Sequence, residues 1–445
     1  MTTIPARNRF TGSSGKQKNI TSAPGPALRP LLLYSLLYPS FSYQSLFEYL
    51  GTEPVDRYTP GGYHPIAIGD LINGRYLIVD KLGFGGYSTL YVALKVGTAS
   101  ASLETKALRA LAILSDHPGR DAIPSPLDEF VIHGPNGAYP CLTMVLAQDN
   151  LREASDCRLF PIDVVRTLVG GLTMAVAYMH SHGYVHGDIH LSNILVKHPS
   201  HINDLSIEKF YEIHGKPYAE PIIRCDGEPL PLNVPQQAVM PIFWGIKANQ
   251  FTLANAHIIL SDFGESFSPS SETRLAKDCH TPLAMRPPEA RFEPLAKLSY
   301  PSDIWSLATA IWEILGMKVL FSDEFATEDE VVSQHIDALG PIPKRWMKLW
   351  EQKNEFFNNK GHLKKGRSLW PSLEQAFEQN VQSYRRKVGV EEFGEEETTA
   401  ILDLMRRMLR FLPKERSRIE EVLQSEWMVK WVMPDFEQIR SSRFN

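Results

Sequence analysis

The chain has no closely spaced cysteine pair, no long uninterrupted apolar run and no large excess of charge, and each absence narrows what it can be. Its four cysteines, Cys141, Cys157, Cys225 and Cys279, lie far apart with no C-x-x-C pair. Neither a zinc site nor a disulfide framework is expected, and a reducing compartment suits them. The most apolar N-terminal stretch, Leu31 to Leu50, is broken by Ser35, Pro39, Ser40, Ser42, Gln44 and Glu48, which argues against a membrane span. Against 46 Lys and Arg stand 51 Asp and Glu, a formal charge of -5. That balance offers no global basic surface to nucleic acid or to an anionic membrane. No acidic residue precedes Glu48, whereas Arg7, Arg9, Lys16, Lys18 and Arg29 do. This is the composition of a disordered basic tail, with a mitochondrial presequence as the alternative.

What is present is enough apolar material, 43% of 445 residues, to build substantial cores. From Arg75 the chain alternates, meets Gly83, Gly85 and Gly86, and resumes as an apolar run from Leu90 to Val96; this predicts strand, glycine turn, strand. A short helix is expected from Ser102 to Leu114, and strands near Phe130–His133 and Cys141–Leu146. Pro161 opens a long helix whose apolar residues recur at three- and four-residue steps to about His182. Further helices are expected at Asp303–Leu315, Glu328–Leu339, Pro343–Phe357, Glu397–Phe411 and Ile419–Lys430. The Pro-rich, polar stretch from about His198 to Ala256 reads as an insert.

Several short motifs carry chemistry. Asp188 follows His186-Gly187, and Asn193 lies five residues on. A carboxylate and an amide so placed suit the orientation of an attacking hydroxyl and the binding of a metal ion. Asp262-Phe263-Gly264 follows the apolar run Ile258-Ile259-Leu260, which places a carboxylate just after a strand; a plain turn is the alternative. Pro287-Pro288-Glu289, Asp303-Ile304-Trp305-Ser306 and Arg416 complete the series, with Arg416 a partner for Glu289 inside the helical unit.

Taken in order from residue 83 to 416, these motifs resemble the protein-kinase signature: a glycine-rich turn, V-A-L-K ending at Lys95, an H-x-D-x-x-x-x-N loop, D-F-G, P-P-E, D-I-W-S and a late arginine. A closer likeness is to the serine/arginine-rich-protein (SR-protein) kinases. It rests on Gly61-Gly62-Tyr63-His64-Pro65, Ile68-Gly69-Asp70, Asn73-Gly74-Arg75-Tyr76 and Gly83-Phe84-Gly85-Gly86-Tyr87-Ser88-Thr89, and on the step of 69 positions from Asn193 to Asp262.

The resemblance implies an α+β, bilobal fold. Residues 1–60 would be a disordered or targeting extension, 61–146 a small β-rich lobe, 147–432 a mainly α lobe with its insert at 198–256, and 433–445 a tail. It implies a serine/threonine kinase using ATP and Mg²⁺. Asp188 and His190 would be catalytic, and Asn193 and Asp262 metal ligands. Gly83, Phe84, Gly85, Gly86, Lys95, Glu104, Met144 and Leu146 would surround the nucleotide near a hinge at Val145–Gln148. Protein substrates, rich in Arg-Ser, would dock on acidic surface near Asp323, Glu324, Glu328, Asp329 and Glu330; the alternative reading of those residues is an exposed acidic helix start. A monomer in the cytoplasm or nucleus is expected, contacting neither nucleic acid nor membrane directly.

Two departures from the pattern stand out. Only 12 residues separate Gly83 from Lys95. Ser88 to Lys95 in extended form covers about 23 Å at roughly 3.3 Å per residue, so Lys95 is expected at the far end of the second strand, away from the phosphates. Either the strand pair is shortened or a short segment is missing from the chain. Secondly, Gly187 stands where these kinases usually carry an arginine, so a phosphate on the activation loop has no partner there. His190 likewise replaces a lysine that steadies the γ-phosphate. H-G-D-I-H-x-x-N also resembles aminoglycoside and choline phosphotransferases, which makes a small-molecule kinase one alternative and a pseudokinase scaffold another.

Overall fold

The computed structural model describes residues 52–442 apart from 86–87, 92–93, 100–103, 156–157, 198–204, 225, 243–244, 323, 325, 359–363 and 365. A small hairpin, β1 (Leu71–Ile72) and β2 (Tyr76–Leu77), leads into β3 (Lys81–Gly85), β4 (Ser88–Tyr91) and β5 (Leu94–Gly97). After helix α1 (Thr105–Leu111) come β6 (Asp128–Gly134) and β7 (Gly137–Thr143). The five longer strands form one antiparallel sheet in the order β3-β4-β5-β7-β6.

The spacing that placed Lys95 far from the phosphates is accommodated by short strands. Gly85 pairs with Ser88 and Tyr91 with Leu94, so β3, β4 and β5 turn back within two residues each. Lys95 then lies in the middle of the sheet, opposite Leu90 on one side and Leu142 on the other. The expectation failed because it assumed a full-length second strand.

Beyond β8 (Ala147–Asn150) and α2 (Leu151–Ser155), helix α3 (Ile162–Ser181) starts after Pro161 and runs through the largest core. By length and apolarity α3 could cross a bilayer, yet nearly all of it is covered by protein; it is the core helix of this lobe. Against it pack β12 (Ile258–Leu260) and α6 (Tyr300–Gly316), and the lobe also contains β9 (Ile194–Lys197), α5 (Glu289–Phe292) and α7 (Glu328–Leu339). Thr327 and Glu330 cap α7 reciprocally. The helix expected over Pro343–Phe357 is two, α8 (Lys344–Leu349) and α9 (Lys353–Phe356), with Trp346 and Trp350 both buried. Then follow α10 (Leu373–Phe377), α11 (Ser383–Val388), α12 (Glu395–Met408) and α13 (Ile419–Leu423).

The segment expected as a tail is helical: α14 (Met433–Ser442) packs on α3. Phe436 reaches so close to α3 that a Cβ on Gly170 would lie 2.8 Å from its own Cβ, so only glycine fits there. Arg166 anchors this end with a bidentate pair to Glu397 (2.7 and 2.9 Å) and a bond to Asp435 (3.2 Å).

The insert is structured. It contains α4 (Ile207–His214), capped by Ser206, and a two-stranded sheet of β10 (Ala219–Pro221) and β11 (Gln237–Val239). Its chain covers the open edge of β3, where the Ile242 amide donates to the Lys81 carbonyl at 2.8 Å. The Tyr211 hydroxyl donates to the Val79 carbonyl, also at 2.8 Å. An edge strand so covered cannot template pairing with another chain. The Lys81 side chain is buried and bonds both the Glu53 carboxylate and the Val239 carbonyl, which joins the segment before the sheet, the sheet edge and the insert. Tyr58 and Tyr63 share a small core with Ile222, Val234 and Ala238.

Candidate active site

The loop after α3 is held by a carboxylate at the start of α6. Asp303 accepts from the amides of His186 (2.8 Å) and Gly187 (2.9 Å) and from His180 Nε2 (3.0 Å). Burial alone would raise its pKa, but the His180 hydrogen bond and charge outweigh that and hold the carboxyl below its ordinary value. The buried His186 ring is oriented by its bonds: Nδ1 accepts from the Asp188 amide (3.3 Å), so Nε2 carries the hydrogen and donates to the Ser261 carbonyl (3.1 Å). Burial also lowers its pKa, which keeps this imidazole neutral.

These contacts fix Asp188. Asn193 Nδ2 donates to the Asp188 carbonyl and to Oδ2, both at 3.0 Å, and His190 Nε2 lies 3.4 Å from the same Oδ2. Oδ1 is buried and has no protein partner, so what remains exposed of this side chain lies away from it. The Asn193 carbonyl accepts from both the amide and the hydroxyl of Ser261 (2.8 and 3.0 Å), which sets the strand bearing Asp262 beside the catalytic loop.

Lys95 comes down from the sheet to meet that strand. Its ammonium lies 3.0 Å from Glu104 Oε2, at the start of α1, and 3.1 Å from Asp262 Oδ1. Burial would depress the lysine pKa, but the two carboxylates outweigh it and keep the group protonated. Burial pushes the Glu104 carboxyl up against the pull of Lys95, whereas the Lys95 charge, working against burial, leaves Asp262 below its ordinary value. Asp262 is one of three non-glycine residues with positive φ among those described, at φ 60° and ψ 74°. A conformation of that cost persists where surroundings enforce it; here Phe263 is buried beside His186 with ring centroids 5.1 Å apart.

The structure therefore brings Asp188, His190, Asn193, Asp262, Lys95 and Glu104 to one cleft. Gly83, Phe84 and Gly85 lie in β3 at its roof, and Gly86 is outside the described residues. Met144 packs at the edge of the main core. The Leu146 side chain packs against Phe210 of the insert and Leu82, so its side chain is turned to the insert and not spare for a nucleotide. Of the acidic residues near α7, Glu328 and Asp329 are paired to Arg291 (2.8 and 3.1 Å) and Glu330 caps the helix; Asp323 is outside the described residues. The arginine in the P-P-E region, Arg286, bonds the Thr281 carbonyl (2.9 Å).

Sequence reasoning missed Glu313, ten residues after Asp303 on the buried α6. Its pKa is raised by burial against the charges of Arg152, 3.4 Å away, and His190. It also missed Glu265, whose carboxylate accepts from Arg274 and lies 2.8 Å from His280 Nδ1; neither sits in a motif. The donor set fits Mg²⁺ held partly by phosphates. Asn193 Nδ2 is committed to Asp188, which frees Oδ1 for a metal, and among the described residues no group of three or more His, Cys, Asp or Glu forms a cage.

Comparison with known proteins agrees. Residues 242–428 match the model of the protein kinase domain. Over 85% of this chain and 90% of the relative, the sequence is 24% identical to a serine/threonine protein kinase of Aspergillus fumigatus. It is also 24% identical to serine/threonine-protein kinase SRPK of Physarum polycephalum, covering 84% of this chain and 91% of that one. To human SRSF protein kinase 3 it is 32% identical, over 32% of this chain and 29% of the relative. The bilobal fold, the cleft residues in this order and the match over 242–428 support a protein kinase. Within that superfamily its likeness is to kinases of the SR-protein kinase type.

Proposed function

We propose that the protein transfers the γ-phosphate of ATP to serine or threonine hydroxyls of Arg-Ser-rich proteins. The observation that carries this reading is the convergence of Lys95, Glu104 and Asp262 beneath the sheet, with Asp188 held in place by Asn193. The Asp188 carboxylate accepts the hydroxyl proton as the hydroxyl oxygen bonds to the γ-phosphorus and the bond to the leaving ADP oxygen breaks. Asn193 and His190 keep Oδ2 occupied, so only one orientation of the carboxylate remains. Lys95, steadied by Glu104, moves its charge from Asp262 to the α- and β-phosphates when nucleotide enters. Asn193 and Asp262 would hold Mg²⁺, which neutralises phosphate charge.

The Lys95 geometry favours this over a pseudokinase, since the short strands still deliver the lysine. For the substrate class, support comes from the relatives' names and the overall likeness. The test is Mg²⁺-dependent transfer from labelled ATP to an Arg-Ser peptide, against a peptide with the arginines replaced and against a small aminoalcohol. Transfer to the Arg-Ser peptide, lost by at least about a hundredfold in Asp188→Asn, is expected. Transfer to the aminoalcohol alone would overturn the proposal.

A further inference from the structure

Three serines directly follow an arginine in this sequence, Ser368, Ser417 and Ser441, and the fold treats them differently. Ser417 is only 9% exposed, its amide donates to the Arg407 carbonyl at 3.2 Å, and the arginine before it, Arg416, is held in the buried pair with Glu289. Ser368 is exposed, but Arg367 is bound to Asp337 and Ser333 and no arginine follows the serine. In Arg440-Ser441-Ser442-Arg443 two serines stand between two arginines. Ser441 is exposed in the last turn of α14, and Arg440 Nε has no hydrogen-bond partner.

The surroundings of α14 decide which cleft this segment can enter. Ile439 and Arg440 line a cavity together with Pro118, Asp121, Lys197 and His257, none of them a residue of the cleft. Lys197 lies four residues beyond Asn193 at the far end of β9, about 13 Å away at roughly 3.3 Å per residue. For Ser441 to reach Asp188 of its own chain, α14 would have to leave α3, parting Phe436 from Gly170 and Asp435 from Arg166. To enter the cleft of a second copy, only the last turn has to unwind, and helix ends fray readily.

We propose that Ser441 of one copy is phosphorylated in the cleft of another, and that the phosphate unwinds the last turn of α14. This rests on the kinase reading of the cleft and on its preference for Arg-Ser sequence. The Ser441 hydroxyl oxygen bonds to the γ-phosphorus of ATP, the bond from that phosphorus to the leaving ADP oxygen breaks, and the hydroxyl proton passes to the Asp188 carboxylate. In the helix the Ser441 hydroxyl donates to the Glu437 carbonyl at 3.0 Å. The phosphate ester has lost that hydrogen. It sets a charge of about -1.5 to -2 against a carbonyl oxygen, one turn from the Glu437 side chain and at the negative end of the helix dipole. The turn so loosened carries Ile439 and Arg440 away from Pro118 and Asp121, in the stretch that leads from α1 into the sheet.

The test uses full chains freed of phosphate beforehand. The acceptor carries Asp188→Asn and cannot label itself; the active copy carries Ser441→Ala. With ATP and Mg²⁺, the acceptor is expected to be phosphorylated on Ser441, located by mass spectrometry, at a rate proportional to the concentration of the active copy, while its Ser417 stays unmodified. Adding Arg440→Gln to the acceptor should slow this about tenfold or more, as one charge-assisted contact is lost. Amide hydrogen exchange over 436–442 is expected to quicken in the phosphorylated acceptor and in Ser441→Glu, and to quicken less in Ser441→Ala. An Arg-Ser peptide is followed in parallel with the same active copy. A phosphorylated peptide beside an unmodified Ser441 overturns the inference and leaves the kinase reading standing, whereas no phosphate on either overturns both. Unchanged exchange in the phosphorylated acceptor refutes the unwinding.

Discussion

Replacing His335 with leucine is expected to make the helical lobe less sensitive to acid. The imidazole, on α7, is 3% exposed and packs edge-on against Trp305 and Phe321, with centroids 5.2 and 4.3 Å away. Neither ring nitrogen has a hydrogen-bond partner, so the leucine leaves nothing polar unpaired. Burial, reinforced by the nearby Arg416 charge, drives the His335 pKa from 6.5 down to about 3. An unfolded chain takes up this proton near 6.5 and the folded one only near 3. Between those values the unfolded state holds more protons, so the stability due to the neutral ring is complete above pH 6.5 and is lost as pH falls. Integration of that difference gives a loss of about 2 kcal/mol between pH 7 and pH 5, and about 4 kcal/mol by pH 3. The assay is urea unfolding followed by tryptophan fluorescence, with Trp305 beside the substituted side chain, at several pH values from 7 to 5. The parent should lose stability faster than His335→Leu by about 2 kcal/mol over that range; parallel profiles would refute the reasoning.

Three further outcomes follow from the geometry. Glu53→Gln strands a buried ammonium at Lys81, which should cost about 3 kcal/mol in thermal or chemical denaturation, and adding Lys81→Met in a Glu53→Leu background should restore most of it. Burial has pushed the Asp80 carboxyl from 3.8 up to about 6, so the folded state holds this proton more tightly and stability falls as pH rises from about 4 to 6; Asp80→Asn should melt above the parent at pH 7.5, with the gap closing towards pH 4. Gly187→Ala should reduce peptide phosphorylation at least about tenfold, because the added methyl falls 2.7 Å from the Glu265 carbonyl oxygen in a left-handed backbone; an unchanged rate would count against that packing.

Much of the catalytic cleft was legible because its residues come from short, ordered motifs whose spacing mirrors single elements. Asp188 and Asn193 share one loop, and Asp262 follows the end of β12 by two residues. The long helices were legible for the same local reason: α3 begins after Pro161 as its apolar period suggests, and α7 spans Glu328–Leu339 as expected. Lys95 was misplaced because strand length is set by pairing partners across the sheet, which a linear count of residues does not contain. Helix α4 was hidden because eight residues with one buried apolar side chain, Phe210, give too little period to register. Glu265, Arg274 and His280 are 9 and 15 residues apart in the pairs that matter, with no fixed spacing to mark them. Their meeting depends on how the segment folds back on itself.

The insert leaves the catalytic floor after β9 and returns to it at β12, and these two strands are hydrogen-bonded neighbours, Val196 opposite Ile258. Topologically the whole excursion is therefore the loop of a single hairpin. Its closure is already enforced by the strand pair, and doubling the length of such a loop costs only about 0.6 kcal/mol in chain entropy. Sequence can be gained or lost between its anchoring contacts without moving Asn193 or Asp262, provided that Ile242 still reaches the sheet edge and Val239 still reaches Lys81. The excursion is thus a place where this kinase can lengthen, acquire recognition elements or carry a grafted domain while its chemistry stays where it is.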